Sequence, residues 1–191
     1  MASLRERNRS RTKRDIESSA LTLFEEQGYA ATTVEQIARR AGVSPATFFR
    51  YFGSKEEVLF VNEQDAVDGL VALVAARTDR SQTLSALATS VAEFAHNYLH
   101  DPDAETQRVT RLVMTTRELE PRSMRMRLRW EHALARQLAH EREAEIGGRD
   151  VLLANLAVGC LAAALWQWQA ATDPVDIEDV TAQMFAGAAD T

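Results

Sequence analysis

The chain has 191 residues, of which 46% are hydrophobic and 26% charged, enough to bury a real core in one domain or in two small ones. Cys160 is the only cysteine, so the sequence excludes a disulfide framework and a site built from several thiolates. No cationic segment followed by an apolar run opens the sequence, and we therefore do not expect secretion. These features are typical of a cytoplasmic protein.

The net charge of −6 hides an asymmetry along the chain. Residues 1–55 contain ten lysines and arginines against six acidic residues, whereas residues 56–191 contain twelve against twenty-two. Attraction to phosphate acts over about one Debye length, ~8–10 Å, so a basic segment on an acidic body can still bind DNA. We therefore expect a DNA-binding domain with a basic N-terminal arm at 1–55 and a second domain at 56–191.

Nearly the whole chain is predicted to be helical. Apolar residues recur with a period of 3.6, strand-like alternation is missing, and turn residues fall between the periodic runs. Gly28 and Gly42 follow predicted helices, and the pair Gly147-Gly148 is expected to end a long one. The predicted fold class is all-α with about nine helices, near residues 11–27, 34–41, 45–51, 55–77, 81–100, 104–117, 122–146, 149–171 and 176–187.

One apolar segment, residues 151–170, is twenty residues long, carries no charge and is long enough to cross a bilayer. It is rich in alanine, is interrupted by Asn155, Gln167 and Gln169, and lacks a cluster of flanking cations. A helix that is apolar all round in a soluble protein is buried, within its own domain or against a partner subunit. We therefore expect no membrane association.

The stretch 32–55 carries the most specific pattern in the chain. Thr33 can cap one helix, and Gly42 permits a tight bend after it. Ser44 can cap the next helix, with Pro45 at its first position, where a missing N–H costs nothing. A very short second helix at a steep angle to its predecessor fits the major groove of DNA, so the pattern predicts a helix-turn-helix.

Eight residues of this stretch fit the run G-V-S-x-G-T-[LF]-Y-x-Y-F-x-x-K: Gly42, Val43, Ser44, Thr47, Phe48, Tyr51, Phe52 and Lys55. On these residues the chain resembles the TetR family of regulators. The resemblance implies a three-helix head, a C-terminal helical bundle and a homodimer. It also implies contacts with DNA. The phosphate contacts would be Thr33, Ser44, Tyr51 and Lys55, the last joined by the N-terminus of its helix, and the residues facing base edges would be Pro45, Ala46, Thr47 and Arg50.

Two positions depart from the family run. Ala46 replaces the usual glycine, and its methyl group can meet a thymine methyl or hold the backbone slightly away. Phe49 replaces the usual tyrosine, which removes one hydroxyl that would bind phosphate. The contact made by Phe49 with DNA is therefore open.

The basic arm favours DNA binding over a hairpin that merely packs, because a packed hairpin needs caps, a glycine turn and an aromatic core but no cations. Two interpretations of residues 5–9 remain open: a disordered, solvated tail, or an arm inserted into the minor groove. The arm consists of Arg5, Arg7, Arg9, Arg11, Lys13 and Arg14, of which Arg11 and Lys13 are predicted DNA contacts.

In the C-terminal domain the family resemblance implies effector binding and pairing through the predicted helices 149–171 and 176–187. The segment 111–138 further resembles regulators of the mycofactocin type, through its T-x-E-L break, its S-M-x-M sequence and the tryptophan that follows. That likeness implies an acyl-coenzyme A as effector.

The predicted helix 122–146 has an apolar arc that also contains Arg127 and Glu131, four residues apart. Either the two form a mutual ion pair, or they offer a polar handle to the anionic head of an effector. An arginine face lies opposite, which is either solvated or suited to coenzyme A phosphates. Its members are Arg122, Arg125, Arg129 and Arg136.

Six residues are predicted to bind the effector, although apolar residues of this kind more often belong to an ordinary core: Phe94, Tyr98, Met114, Arg127, Trp130 and Trp166. His96 and His100 lie four residues apart near Asp101, but no third ligand is evident, so no metal is expected.

The sequence contains no nucleophile elbow, phosphate loop or H-E-x-x-H, so we expect neither an enzyme nor a cofactor. The predicted function is a ligand-responsive transcriptional regulator, a repressor released from a palindromic operator by a lipophilic effector. The alternatives are an architectural DNA-binding protein without effector, a helical enzyme, and, for the regulator itself, activation instead of repression.

Overall fold

The computed structural model describes residues 4–99, 105–173 and 175–189, and within them it confirms the all-α fold class. Two 3-10 turns, Glu57–Leu59 and Arg117–Leu119, interrupt the helical order. The helices are α1 (Leu4–Gln27), α2 (Val34–Arg40), α3 (Pro45–Tyr51), α4 (Glu63–Ala76), α5 (Leu84–Leu99), α6 (Glu105–Thr115), α7 (Glu120–Glu141), α8 (Gly148–Ala170) and α9 (Ile177–Ala189).

The chain divides into two compact units. The head unit contains Met1–Val61 together with Thr115–Leu119, and the bundle unit contains Asn62–Met114 and Glu120–Thr191. The chain therefore passes between the units at three points, after residues 61, 114 and 119. The predicted domain boundary after residue 55 stays a prediction, and the return of residues 115–119 to the head unit was not expected.

The predicted continuous helix 55–77 is wrong, because the chain leaves helical geometry between the Glu57–Leu59 turn and α4. The Ser54 hydroxyl accepts from the Glu57 amide (3.2 Å), while the Glu57 carboxylate accepts from the Gly53 amide (2.7 Å). Such local bonds compete with helix formation. Phe60, which is buried, has φ −122° and ψ 31°, outside the helical region. Lys55 therefore does not lie at the start of an α-helix.

Other predicted helix ends also differ. α1 begins at Leu4, upstream of the predicted start, so the interpretation of residues 5–9 as a disordered tail is wrong. α7 ends at Glu141, and Gly148 begins α8 instead of closing the preceding helix. The Asp150 carboxylate explains that start, because it accepts from the Gly147 amide at 2.8 Å and caps the first turn.

In the bundle unit, α4, α5, α7, α8 and α9 enclose one core. Fully buried side chains come from each of these helices, including Leu70, Leu87, Leu134, Leu161 and Ile177. By length and composition α8 could cross a membrane, but this is weak evidence for a span, because a core helix passes the same test and α8 is partly buried in the bundle. Cys160 lies in this core, and burial raises the pKa of its thiol, which is typical of an inert, packed cysteine.

Two ion-pair clusters, each built on a buried carboxylate, join α4 to α7. Glu63, at the start of α4, accepts from Arg122 at 2.7 Å and from Arg129 at 2.8 Å. Beyond the end of α4, both terminal nitrogens of Arg77 donate to the Glu141 carboxylate at 2.7 Å, and both side chains are over nine-tenths buried. The interpretation of Arg122 and Arg129 as merely solvated is therefore wrong.

Glu141→Gln is expected to lower the free energy of unfolding by about 3–5 kcal/mol, because it leaves the buried Arg77 guanidinium without its counter-charge. Chemical unfolding in urea at pH 7 measures this. The exposed Glu145→Gln, the matched control, should change it by about 0.5 kcal/mol or less. An equal loss in both variants would contradict the prediction.

The same substitution should change the pH dependence of stability. Burial alone would raise the pKa of Glu141. Hydrogen bonds from Arg77 and Gln137 and the charges of Arg77 and Arg80 lower it by more, so the pKa lies below its usual value. The stabilisation is then present above the pKa of the unfolded chain and is lost as pH falls through the lowered pKa. The Glu141→Gln variant should lack this loss.

Candidate functional site

The two short helices of the head unit are capped as their sequence predicts. The Thr33 hydroxyl accepts from the Gln36 amide (3.2 Å), and the Gln36 side chain accepts in return from the Thr33 amide (2.8 Å). The Ser44 hydroxyl accepts from the Thr47 amide (3.1 Å), with Pro45 at the first position of α3. These caps satisfy amides that a helix of seven residues would otherwise leave free.

The bend between α2 and α3 depends on Gly42. Its φ of +68° lies in the left-handed region, which favours glycine because it has no Cβ. The Gly42 amide donates to the carbonyl of Arg39, and the next amide, that of Val43, donates to the carbonyl of Ala38 (2.9 Å). These two bonds close the end of α2 and set the direction in which α3 leaves.

α3 buries one face and presents the other. Phe48 is fully buried and its ring lies 5.7 Å from that of Phe52, which anchors the helix in the head unit. Ala46, Phe49 and Arg50 are exposed, and Phe49 is 54% exposed. A single exposed apolar ring is ordinary on a protein surface, so what α3 presents is the combination of Ala46, Phe49 and Arg50 on one uncovered face.

Lys55 lies inside the head unit with its ammonium group on the loop between α1 and α2. Its Nζ donates to the carbonyls of Tyr29 at 2.6 Å, Thr32 at 2.8 Å and Ala30 at 3.4 Å, and lies 4.4 Å from the centre of the Tyr29 ring. Burial lowers the pKa of Lys55, while the nearby Glu118 carboxylate acts in the opposite direction. These contacts use all three N–H groups, so the predicted phosphate contact of Lys55 stays a prediction.

The roles of Thr32 and Tyr29, both in the loop between α1 and α2, were missed by sequence reasoning. The Thr32 hydroxyl is buried and donates to the Gly28 carbonyl (2.8 Å), and the Gln27 amide donates to that hydroxyl and to Gln36 (both 3.1 Å). Burial, together with the charges of Glu56 and Glu118, raises the pKa of Tyr29 to about 12. The sequence alone offered only the step Gly28-Tyr29 ahead of the capping threonine.

The other predicted DNA contacts of the head lie on α1 and α3. Arg11 is strongly exposed and lies 4.0 Å from Asp15, and Lys13 lies 3.9 Å from Glu17. Such surface pairs contribute little and leave both cations available to a partner. Tyr51 is partly buried at the end of α3.

The predicted effector residues fall into two groups. Phe94 and Trp130 are buried, with ring centres 5.8 Å apart, and the partly exposed Tyr98 ring lies 4.9 Å from Phe94. Tyr98 also packs on Gly69 so closely that the glycine position has no room for a side chain. Met114 is 39% exposed and Trp166 is 66% exposed, and neither belongs to this cluster.

Arg127 and Glu131 form the predicted ion pair, with Arg127 Nε donating to Glu131 Oε1 at 2.9 Å. Glu131 is buried, whereas the Arg127 side chain is 48% exposed. Asn155 of α8, with its amide oriented to donate, bonds Glu131 Oε2 at 3.2 Å. The carboxylate is therefore satisfied within the bundle, and only the outer part of Arg127 is open to solvent.

His96 lies near carboxylates that the sequence did not suggest. Its Nδ1 is 3.7 Å from Asp176 and 3.5 Å from Glu178, at the start of α9. All three side chains are substantially exposed, which is common without any ion. His100 and Asp101 lie outside the described residues.

Comparison with known proteins agrees with the helix-turn-helix geometry. Residues 16–61 match the family model of the bacterial regulatory proteins of the tetR family. The HTH-type transcriptional regulator TcmR of Streptomyces glaucescens is 56% identical over 55 residues, which are 29% of this chain and 24% of that protein. The chain thus matches about a quarter of the length of this relative. MftR of Mycobacterium tuberculosis is 29% identical over 133 residues, which are 70% of this chain and 67% of the length of MftR. MftR is named for the regulation of mycofactocin biosynthesis.

A solved structure shares the fold across both units. The SmeT–triclosan complex aligns over 93% of this chain and 90% of its own, with a TM-score of 0.66 and 19% sequence identity. The family model matches residues 16–61, within the head unit, and the solved structure shares the fold. The head of this chain is therefore similar to the tetR family of bacterial regulatory proteins.

Proposed function

We propose that this chain is a transcriptional regulator of the cytoplasm that binds operator DNA as a homodimer and is released by a small lipophilic molecule. The observation that carries the proposal is the capped α2–turn–α3 unit, with Ala46, Phe49 and Arg50 exposed on α3. In this arrangement α3 enters the major groove, Thr47 reads base edges, and Thr33, Ser44 and Tyr51 lie toward phosphates. The proposal is of a binding protein and assigns no reaction to the chain.

The proposed dimer forms through α8 and α9. One face of α8 carries exposed apolar side chains at helical spacing, namely Leu152 (59% exposed), Leu156 (46%) and Trp166 (66%), while its other face is buried in the bundle. Exposed apolar stripes of this kind mark interaction sites. The exposure of Trp166 supports a role at this face instead of in the effector cluster.

The proposed effector site is the aromatic cluster of Phe94, Tyr98 and Trp130. Trp130 is more than nine-tenths buried, and its indole Nε1 has no hydrogen-bond acceptor among the described residues. A buried donor without a partner costs about 1–3 kcal/mol, so an effector that places an acceptor there gains affinity. The cluster therefore suits a ligand with an apolar body and one carbonyl or ether oxygen.

An acyl-coenzyme A is the specific effector that we propose to test. The segment around Ser123 and Trp130 resembles regulators of the mycofactocin type, and MftR is a relative over most of the chain. The thioester carbonyl is an acceptor for Trp130, and the exposed part of Arg127 offers a charge to the phosphates. The same fold holds triclosan in SmeT, so other lipophilic molecules enter the same screen.

Thr47→Ala should change the preference at particular base pairs by about 1–3 kcal/mol, because a base contact is lost while phosphate contacts remain. Selection from a random duplex library at fixed salt, followed by affinity measurements on the selected and altered duplexes, tests this. Equal weakening on all duplexes would contradict a base contact for Thr47.

Lys55→Ala is the comparison for that experiment. A direct phosphate contact predicts weaker binding to all duplexes and a salt slope lower by about 1. A lysine that only holds the α1–α2 loop predicts lower thermal stability of the head with an unchanged salt slope. Wild-type protein that selects no duplex at low salt would contradict the proposed function.

Leu156→Glu should dissociate the dimer, because a charge on the proposed interface must be desolvated without a partner. Sedimentation at micromolar concentration measures the mass with and without DNA. His132→Glu places the same charge on an exposed position of α7 and should leave the dimer intact. A wild-type monomer in both conditions would refute the dimer.

Trp130→Phe should weaken effector binding by on the order of tenfold while leaving ligand-free DNA affinity intact, because it removes the buried donor and keeps an aromatic ring. Calorimetry with acyl-coenzyme A thioesters of several chain lengths, and with the free acids, gives the affinities. DNA release must follow, since a ligand shifts a conformational equilibrium only by its differential affinity for the two states.

The role of Arg127 requires a double variant, Arg127→Gln with Glu131→Gln, because removing Arg127 alone leaves a buried carboxylate without its partner. Weaker binding of thioesters but not of free acids would support a contact with the coenzyme A phosphates. If no acyl chain binds, or if binding leaves DNA affinity unchanged, acyl-coenzyme A is excluded.

A further inference from the structure

A cleft of about 650 Å³ opens in the head unit between the first half of α1 and the end of α3. Five side chains line it: Asn8, Arg9 and Thr12 from α1, and Arg50 and Tyr51 from α3. The volume lies within the range of about 300–1,000 Å³ found for ligand pockets. It is therefore large enough for a phosphodiester group with part of its sugar.

Every side chain of this cleft can donate a hydrogen bond, and none of them is acidic. Arg9 and Arg50 bring two guanidinium groups, whose planar forks match the oxygens of a phosphate. The Arg50 guanidinium lies 5.4 Å from the centre of the Tyr51 ring, and this cation–π contact favours its position beside the cleft. The chemistry of the cleft is that of an anion site.

We propose that this cleft binds one phosphate of the DNA backbone, so that α1 and α3 clamp the strand together. This inference rests on the proposed DNA binding. It gives Asn8, Arg9 and Thr12 a function and makes Arg50 a phosphate contact instead of a base reader.

The source of the phosphate follows from the position of the cleft. Arg50 and Tyr51 belong to α3, the helix proposed to enter the major groove, whose width of about 12 Å brings the ends of an inserted helix close to the backbone. Arg9 lies in a helix, which also argues against an extended arm that follows the minor groove. A free phosphate ion shares the chemistry, and the experiment separates the two sources.

Arg9→Gln and Arg50→Gln test the clamp, with Arg14→Gln as the matched control. Arg14 is exposed on the same helix, and at 100° per residue it falls on the face opposite Asn8, Arg9 and Thr12. All three substitutions remove one positive charge. The first two should lower affinity for every duplex by on the order of tenfold and reduce the salt slope by about 1, whereas Arg14→Gln should change both far less. Arg9→Lys should restore the salt slope.

The individual phosphate is identified with duplexes that carry one neutral methylphosphonate at successive positions. We expect one position in each half-site where the neutral group weakens the wild type but does not weaken Arg9→Gln or Arg50→Gln further. Inorganic phosphate at millimolar concentration should not protect wild-type protein against thermal unfolding more than it protects Arg9→Gln.

Three results would overturn the inference. The first is that Arg9→Gln and Arg14→Gln change affinity and salt slope equally, and the second is that Arg50→Gln relaxes the preference at one base pair. The third is that inorganic phosphate protects the wild type against thermal unfolding more than it protects Arg9→Gln. Each of these leaves DNA binding by the wild type intact, so it is distinguishable from failure of the proposed function, in which the wild type binds no duplex at all.

Discussion

The loop between α1 and α2 depends on the ammonium group of Lys55. The loop contains a glycine with φ +86° and lies outside any regular element, so its carbonyls need partners other than a helix. Lys55 supplies three N–H groups to them, and the Thr32 hydroxyl supplies another. With the loop fixed, Thr33 can cap α2, and the turn at Gly42 then directs α3. The orientation of α3 thus depends on one partly buried cation whose sequence neighbours give no sign of its partners.

In the bundle unit the charges play a different part. Glu63 at the start of α4 pairs with Arg122 and Arg129 in the first half of α7, and Arg77 beyond the end of α4 pairs with Glu141 at the end of α7. The two helices therefore run parallel, and the ion pairs fix how far one can slide along the other. Apolar packing between the clusters would tolerate several registers, since it is less directional than a bidentate guanidinium–carboxylate bond.

The features that could be predicted from sequence are those set by local spacing. Thr33, Gly42 and Ser44 act within three or four residues of their partners, and so does Arg127 with Glu131. The break after the Glu57–Leu59 turn was not predicted although its bonds are local, because Ser54 and Glu57 side chains also occur within helices and only the geometry shows that they bond the backbone. The role of Lys55 was missed for another reason, since its partners lie 23 to 26 positions away. Trp166 shows the remaining difficulty. Apolar residues on both faces of α8 leave its buried and exposed sides indistinguishable by periodicity.

The return of residues 115–119 to the head unit has a consequence for how this architecture can be recombined. Leu119 is fully buried, and Glu118 acts electrostatically on both Tyr29 and Lys55. A chimaera that joins residues 1–61 to the bundle of another protein would lose this piece of its own interior unless the recipient supplied an equivalent. Exchange of heads between such proteins therefore requires two grafts, one of them only five residues long and lying between two helices of the other unit.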